Sequence, residues 1–312
     1  MTNLHDKNTL SSNSSSKNHL GIDHPLVAVA NMDKAAEDFA ALGFFINPRH
    51  HHPWGTDNHL LMFPENFIEL ISVYDHSKLD MTNEKGFAFG RFIQNSIERK
   101  EGISLVALHS EDAIADQQLM QDREVENQGI VNFRRVAHKP DGTEEEAVVS
   151  LVMLINSQEP AISHFFCHQH KPDLVWVKDW MNHPNGATAI TCVSYIANNP
   201  ADYATRFKGI YGKDAVNLET GKLVAKTDRG DFEVLSPKAA KARFSGVDIP
   251  CTEDQMPSGI AIRVTTSSIH KASAYLDKNQ VEYVVTNDGG IRIPASYAGN
   301  TIIEIYPTIE EQ

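Results

Sequence analysis

Residues 49–71, RHHHPWGTDNHLLMFPENFIELI, concentrate the side chains able to do chemistry. Three histidines (His50, His51, His52) lead into Trp54, Asn58 and then Glu69 inside an apolar run. If FIELI is a strand, Phe67, Glu69 and Ile71 share one face, so a carboxylate lies among apolar neighbours. Such a carboxylate needs a partner or a coordinated ion. Candidate partners lie upstream, at His24 and in the triple histidine. Adjacent strand residues alternate faces, so the three histidines cannot all serve one site. His52, just before Pro53-Trp54, is the one expected to face a cleft, as an acid/base group or substrate contact. Trp54 and Asn58 frame the Gly55-Thr56 turn and could supply a stacking wall and an amide contact; the competing role for Trp54 is to fill the core.

The elements that position these residues form a repeat. From Gly21, IDHPLVAV reads as a strand and NMDKAAEDFAALGF as a helix. Asn31 or Asp33 is its cap and Gly43 its stop. Three further strands follow, ending in FIELIS, and give the order β-α-β-β-β. Similar units begin at ATAITCVSYI and GIAIRV and close with FEVLSP and IIEIYP, each with a glutamate among apolar residues. The intervals agree: 45 residues from His24 to Glu69, 43 from Ile190 to Glu233 and 44 from Ile260 to Glu304. A longer, divergent copy starts at ISLVALHS, turns at Pro140-Asp141-Gly142 and closes with AISHFFCHQH, histidines replacing the glutamate. A lone unit leaves an open sheet edge and an apolar face, and pairing units covers both. The expected fold is therefore α+β, with four βαβββ modules paired into two domains, residues 20–175 and 176–312. Residues 1–19, polar and rich in Ser and Asn, are expected to be a disordered tail.

Composition narrows the function class. A formal charge of −13 with no clustered Lys/Arg argues against nucleic-acid binding. No apolar run approaches the roughly 20 residues that span a bilayer, so no membrane partner is expected. Three cysteines without CxxC spacing favour a reducing, cytoplasmic setting over a disulfide framework, and Cys167 and Cys192 read as core thiols. Signatures of nucleotide, serine-hydrolase and zincin chemistry are absent.

Given DHPLVAVANMDKAAEDFAALGF, HHPWGTDNHLLMF, FIELI, KPDGTEEE, FFCHQHKPDLVW and HPNGATAITCVSYIANNP, the chain resembles the vicinal oxygen chelate superfamily, in its glyoxalase-like branch. The resemblance runs over residues 21–307 and implies two domains with curved mixed sheets around clefts. Metal-using members place a ligand histidine on a module's opening strand and a glutamate on its closing strand, which here selects His24 and Glu69. The third and fourth modules keep Glu233 and Glu304 but have no opening-strand histidine, so their domain is expected to be structural or a lid. A third ligand would come from HFFCHQH, where His164, His168 and His170 share one face; His170, beside the turn at Pro172, is preferred and His168 is second. The implied cofactor is a divalent ion (Fe, Mn, Zn or Ni) acting as a Lewis acid. The expected function is lyase, isomerase or, with iron, ring-cleaving dioxygenase chemistry on a small oxygenated molecule, with Glu69 and His52 catalytic. A metal-free protein that sequesters a small molecule is the alternative, and a structural homodimer is a third reading.

Overall fold

The computed structural model describes residues 20–138, 143–251 and 257–308. The expected tail at residues 1–19 and the turn at Pro140-Asp141-Gly142 lie outside them. The first module runs β1 (Ile22–Ala28), α1 (Met32–Ala41), β2 (His50–His51), β3 (Thr56–Met62) and β4 (Phe67–Val73). Asn31 caps α1, its side chain accepting from the Lys34 amide at 3.0 Å. Helix α2 (Phe89–Arg99) then crosses to the second module: β5 (Gly102–Ser110), α3 (Ala113–Asp122), β6 (Ile130–His138), β7 (Glu144–Leu154) and β8 (His164–Gln169).

The third module holds β9 (Ala187–Ile196), α4 (Ala204–Tyr211), β10 (Val216–Glu219), β11 (Lys222–Ala225) and β12 (Asp231–Leu235). Helix α5 (Pro237–Arg243) leads to the fourth: β13 (Ser258–Thr266), α6 (Ile269–Lys278), β14 (Val284–Val285), β15 (Ile291–Ile293) and β16 (Ile302–Pro307). Neither α2 nor α5 is anticipated from the repeat. Each follows a module's closing strand and packs on its own domain's sheet. Phe89 and Ile93 of α2 join one apolar cluster, and Ala240 of α5, followed by Phe244, joins another.

Pairing of modules produces two eight-stranded mixed sheets, β2-β3-β4-β1-β5-β8-β7-β6 and β10-β11-β12-β9-β13-β16-β15-β14. Within each module the opening and closing strands run parallel, and the two opening strands of a domain meet antiparallel, β1 on β5 and β9 on β13. The central strands are covered on both faces and read as near-continuous apolar runs, β1 being buried at all seven positions. The first sheet curls until the turn after β2 meets the β6 edge, where the Trp54 and Phe133 rings are 4.9 Å apart. Asn66 ties the first sheet to the second, its amide donating to Ile190 O at 3.0 Å and accepting from Ile190 N at 2.9 Å. Among the described residues no helix is long and apolar enough to cross a membrane.

Candidate functional site

The hollow of the first sheet holds a cavity of about 40 Å³, room for a few water-sized groups, lined by His24, His52, Trp54, Asn58, Glu69 and Arg135 among others. Its polar wall is built by β1, β3 and β4. Leu26 on β1 is paired with Glu69 on β4, and Leu60 on β3 with Glu69 from the other side. His24 and Asn58 lie two residues from those partners, so alternation returns both side chains to the Glu69 face. His24 Nε2 is 3.2 Å from Glu69 Oε2, and Asn58 Nδ2 donates to Glu69 Oε1 at 2.6 Å. The β1–β5 register shifts between Ile22 and His24, and there the buried Asp23 carboxylate meets His24 Nδ1 at 2.5 Å. His109 Nδ1 approaches the second Asp23 oxygen at 3.4 Å.

His24 is thus held between two carboxylates. Burial alone would lower its pKa, but the bonds to Asp23 and Glu69 prevail and raise it to about 9. Burial pulls Glu69 the other way and is also overcome, chiefly by His24, so its pKa is lowered. His52 differs: burial and the nearby Arg135 charge, against an opposing pull from Glu69, bring it down to about 4. It is therefore neutral at physiological pH, with Nε2 3.8 Å from Glu69 Oε1 and Nδ1 2.9 Å from Thr56 Oγ1. Trp54 donates to that same Thr56 oxygen at 2.8 Å and stacks on His52 with centroids 5.2 Å apart. One threonine therefore sets both rings. His50 is half-buried and His51 exposed, on a strand that pairs with β3 at the sheet edge, and neither lines the cavity.

The opposite wall comes from the second module and is mostly apolar. On β8, Phe165, Cys167 and Gln169 face the cavity. Alternation then sends the whole histidine set the other way, a correction to the expected ligand set. His164 is fully buried with Nε2 3.3 Å from the Tyr195 hydroxyl, and His168 lies against the α3 N-terminus. His170 is exposed, with Nε2 2.8 Å from Ser150 Oγ and its ring stacked on His168 at 3.9 Å. So the structure brings His24, His52, Trp54, Asn58 and Glu69 together and leaves His170 outside.

Arg135 escapes the sequence reading. On β6, Phe133 and Arg135 face inward while Arg134 points out and pairs with Glu146 at 2.6 Å. Sharing a face with Phe133 was the available signal. Arg135 is half-buried and, among the described residues, makes no hydrogen bond or ion pair. Burial lowers its pKa, with the Glu69 charge opposing.

Whether the site suits a divalent ion turns on donor chemistry. Asp23, His24 and Cys167 have ligand atoms all within 4.8 Å of one another, and Glu69 adjoins His24. Imidazole, carboxylate and thiol together are a set that zinc or iron accepts. Asp23 on Nδ1 is also the usual arrangement behind a metal-bound histidine. Burial and the Asp23 and Glu69 charges push the Cys167 thiol well up, which a bound cation would reverse. The donors fit, with Cys167 in the place expected for a histidine.

Comparison with known proteins bears on the fold and family. A family model described as a glyoxalase-like domain matches residues 22–211. No curated protein matches the chain. Among solved structures, a hypothetical protein from Staphylococcus aureus superposes with a TM-score of 0.65 at 18% identity, covering 92% of this chain and 99% of that one. A mutant of 4-hydroxymandelate synthase from Streptomyces coelicolor gives 0.56 at 11% identity, with 92% of each chain covered. A fusion of a xylose isomerase-like TIM barrel with 4-hydroxyphenylpyruvate dioxygenase gives 0.52 at 12% identity, covering 94% of this chain and 49% of that one. At these identities the likeness is one of fold.

Proposed function

The chain belongs to the glyoxalase-like domain family of the vicinal oxygen chelate superfamily, and from that premise we propose that its N-terminal cavity is the active site of a lyase or isomerase that moves a proton on a small oxygenated molecule. The observation that carries this reading is Glu69, a buried carboxylate fixed from one side by His24 and from the other by Asn58, in a cavity large enough for a few atoms. Glu69 takes the proton from a carbon next to a carbonyl, since it is ionised and rigidly held. The cost of orienting it is met by the fold, through the parallel β1–β4 pair, before a substrate arrives. His24 is the charged donor behind Glu69 and tunes its basicity, while Asp23 keeps the imidazole oriented. Neutral His52 reaches the same Glu69 oxygen region and can accept or return the proton on a neighbouring atom. The phenyl rings of Phe67 and Phe165 pack on His24 and keep water off the pair. A divalent ion held by Asp23, His24 and Cys167, whose ligand atoms lie within 4.8 Å of one another, would add Lewis-acid polarisation of the carbonyl.

The test is hydrogen exchange at carbon, followed by proton NMR in D₂O with the full chain and a panel of pyruvate, hydroxypyruvate and dihydroxyacetone. Chelated protein is compared with protein supplied with zinc, manganese or ferrous iron. Exchange on a panel member that falls about a hundredfold in Glu69→Gln supports the reading. Exchange equal in the variant, or absent from the whole panel with every ion, overturns it. Because the second module's opening strand β5 sets Leu105 and Ala107 opposite Leu26 and His24 and so offers no second opening-strand histidine, a metal-free binding protein is the second reading, and saturable binding without exchange is its signature.

A further inference from the structure

We infer that Arg135 makes the N-terminal cavity selective for an anion: the molecule bound beside Glu69 carries a carboxylate, which the Arg135 guanidinium engages. This deepens the proposed function and rests on it for the identity of the site, since it names the substrate class of the same cavity.

The argument begins with charge. The chain as a whole carries −13, a field that repels small anions, so an anionic ligand needs a local cation. Two basic side chains besides His52 line the cavity among the described residues. Both ring nitrogens of His24 are occupied, with Asp23 2.5 Å from one and Glu69 3.2 Å from the other. The Arg135 guanidinium has no such partner among the described residues, and the Glu69 oxygens meet His24 and Asn58 instead. Its donors are left for whatever enters.

Surroundings strengthen that charge. Phe133, Val149 and Leu151 line the same cavity as Arg135, and an apolar wall makes each charge–charge contact worth more than in water. The nearby histidines do not take its place: His52 has Nδ1 2.9 Å from Thr56 Oγ1, and His50 does not line the cavity. A guanidinium offers paired donors in a plane, a match for the two oxygens of a carboxylate. With the carboxylate there, the adjoining carbons fall toward Glu69 across a cavity of only about 40 Å³. A short 2-oxo or 2-hydroxy carboxylate meets these requirements, and a neutral ketone or a sugar leaves the guanidinium buried and unpaired, which is costly.

Binding of pyruvate and of pyruvamide, its neutral amide, is measured by calorimetry on the full chain, wild type and Arg135→Met, with Arg135→Lys and Glu69→Gln alongside. Wild type is expected to prefer pyruvate by about tenfold or more, the range of a lost charge-assisted pair. Arg135→Met should bring that preference to within about twofold, and Arg135→Lys should keep part of it. Glu69→Gln should retain the pyruvate preference, because anion capture does not require the proton acceptor. An unchanged preference in Arg135→Met, or no preference in wild type, overturns the inference. If instead anion preference follows Arg135 but no panel molecule exchanges hydrogen, the proton-transfer reading fails and the anion site stands.

Discussion

Glu304 offers the sharpest test of how this fold reuses one residue. It occupies the place of Glu69 in the fourth module, yet it is 1% exposed and surrounded by arginines. Arg243 donates to both its oxygens at 2.7 and 2.5 Å, Arg292 donates at 3.2 and 3.1 Å, and Arg263 adds a bond at 3.2 Å. The cross-strand register fixes two of these contacts, Arg263 and Arg292 each standing opposite Glu304. Glu304→Ala leaves Arg263 and Arg292 without their anion and Arg243 with only Glu233, 3.9 Å away. Removing one member of a buried charge cluster costs about 3–5 kcal/mol. Arg243 and Arg263 are 22% and 30% exposed and can partly rehydrate, which places the loss near the lower end, about 3 kcal/mol. With a urea dependence of about 2 kcal/mol per molar, the unfolding midpoint falls by about 1.5 M. Far-UV circular dichroism is the right probe. The three tryptophans, Trp54, Trp176 and Trp180, all precede the second sheet, so their fluorescence should lag the dichroism as that sheet melts first. A midpoint shift below about 0.3 M would refute the view that the arginine cluster holds this domain together.

Other expectations follow from single contacts. His183 accepts from the Phe45 amide at Nδ1 (2.9 Å) and meets Met62 O at Nε2 (2.7 Å), so it fits only as a neutral ring, and burial lowers its pKa to about 4. The unfolded chain then binds the extra proton first, and stability falls as pH drops from about 6.5 toward 4. The loss is about 2 kcal/mol at pH 5, and His183→Gln should flatten that part of the wild-type curve in urea titrations. In chelated protein, Asp23→Asn should lower the His24 pKa from about 9, since burial then works against one carboxylate instead of two; NMR titration of the ring reads this, and an unchanged pKa would contradict the sandwich geometry. Gly55 has φ +86°, and a Cβ there would lie 2.2 Å from Asp75 O, so Gly55→Ala should cost about 2 kcal/mol or more and loosen the turn that carries Trp54 and Thr56. Thermal unfolding with near-UV dichroism measures both effects.

Much of this architecture is readable in the chain. Glutamates recurring at a nearly constant interval locate the closing strands, and the Asn31 and Ser268 caps mark where α1 and α6 begin. The polar wall is readable too, because Glu69 among apolar residues demands a partner and His24 is at the right interval. Strand alternation, however, says which residues travel together and not which way they face. On β8 both sets mix apolar and polar residues, His164-Phe166-His168 against Phe165-Cys167-Gln169, because the strand is covered on both sides, and only packing against α3 and the second sheet decides between them. Arg135 is hidden for a related reason: Arg134 and Arg135 are identical in type and opposite in direction. Helices α2 and α5 are short connectors whose apolar residues have meaning only once a cleft exists for them to cover.

The position of Arg135 has a consequence for how this protein can change. Glu69, His24 and Asn58 sit on interior strands, each bonded to a neighbour on both sides, where substitution disturbs two ladders at once. Arg135 sits on β6, an edge strand bonded to β7 alone. Lengthening, shortening or recolouring that one hairpin alters what is admitted while the proton-handling machinery stays intact. Descendants of this fold can therefore diversify in diet without reinventing their chemistry.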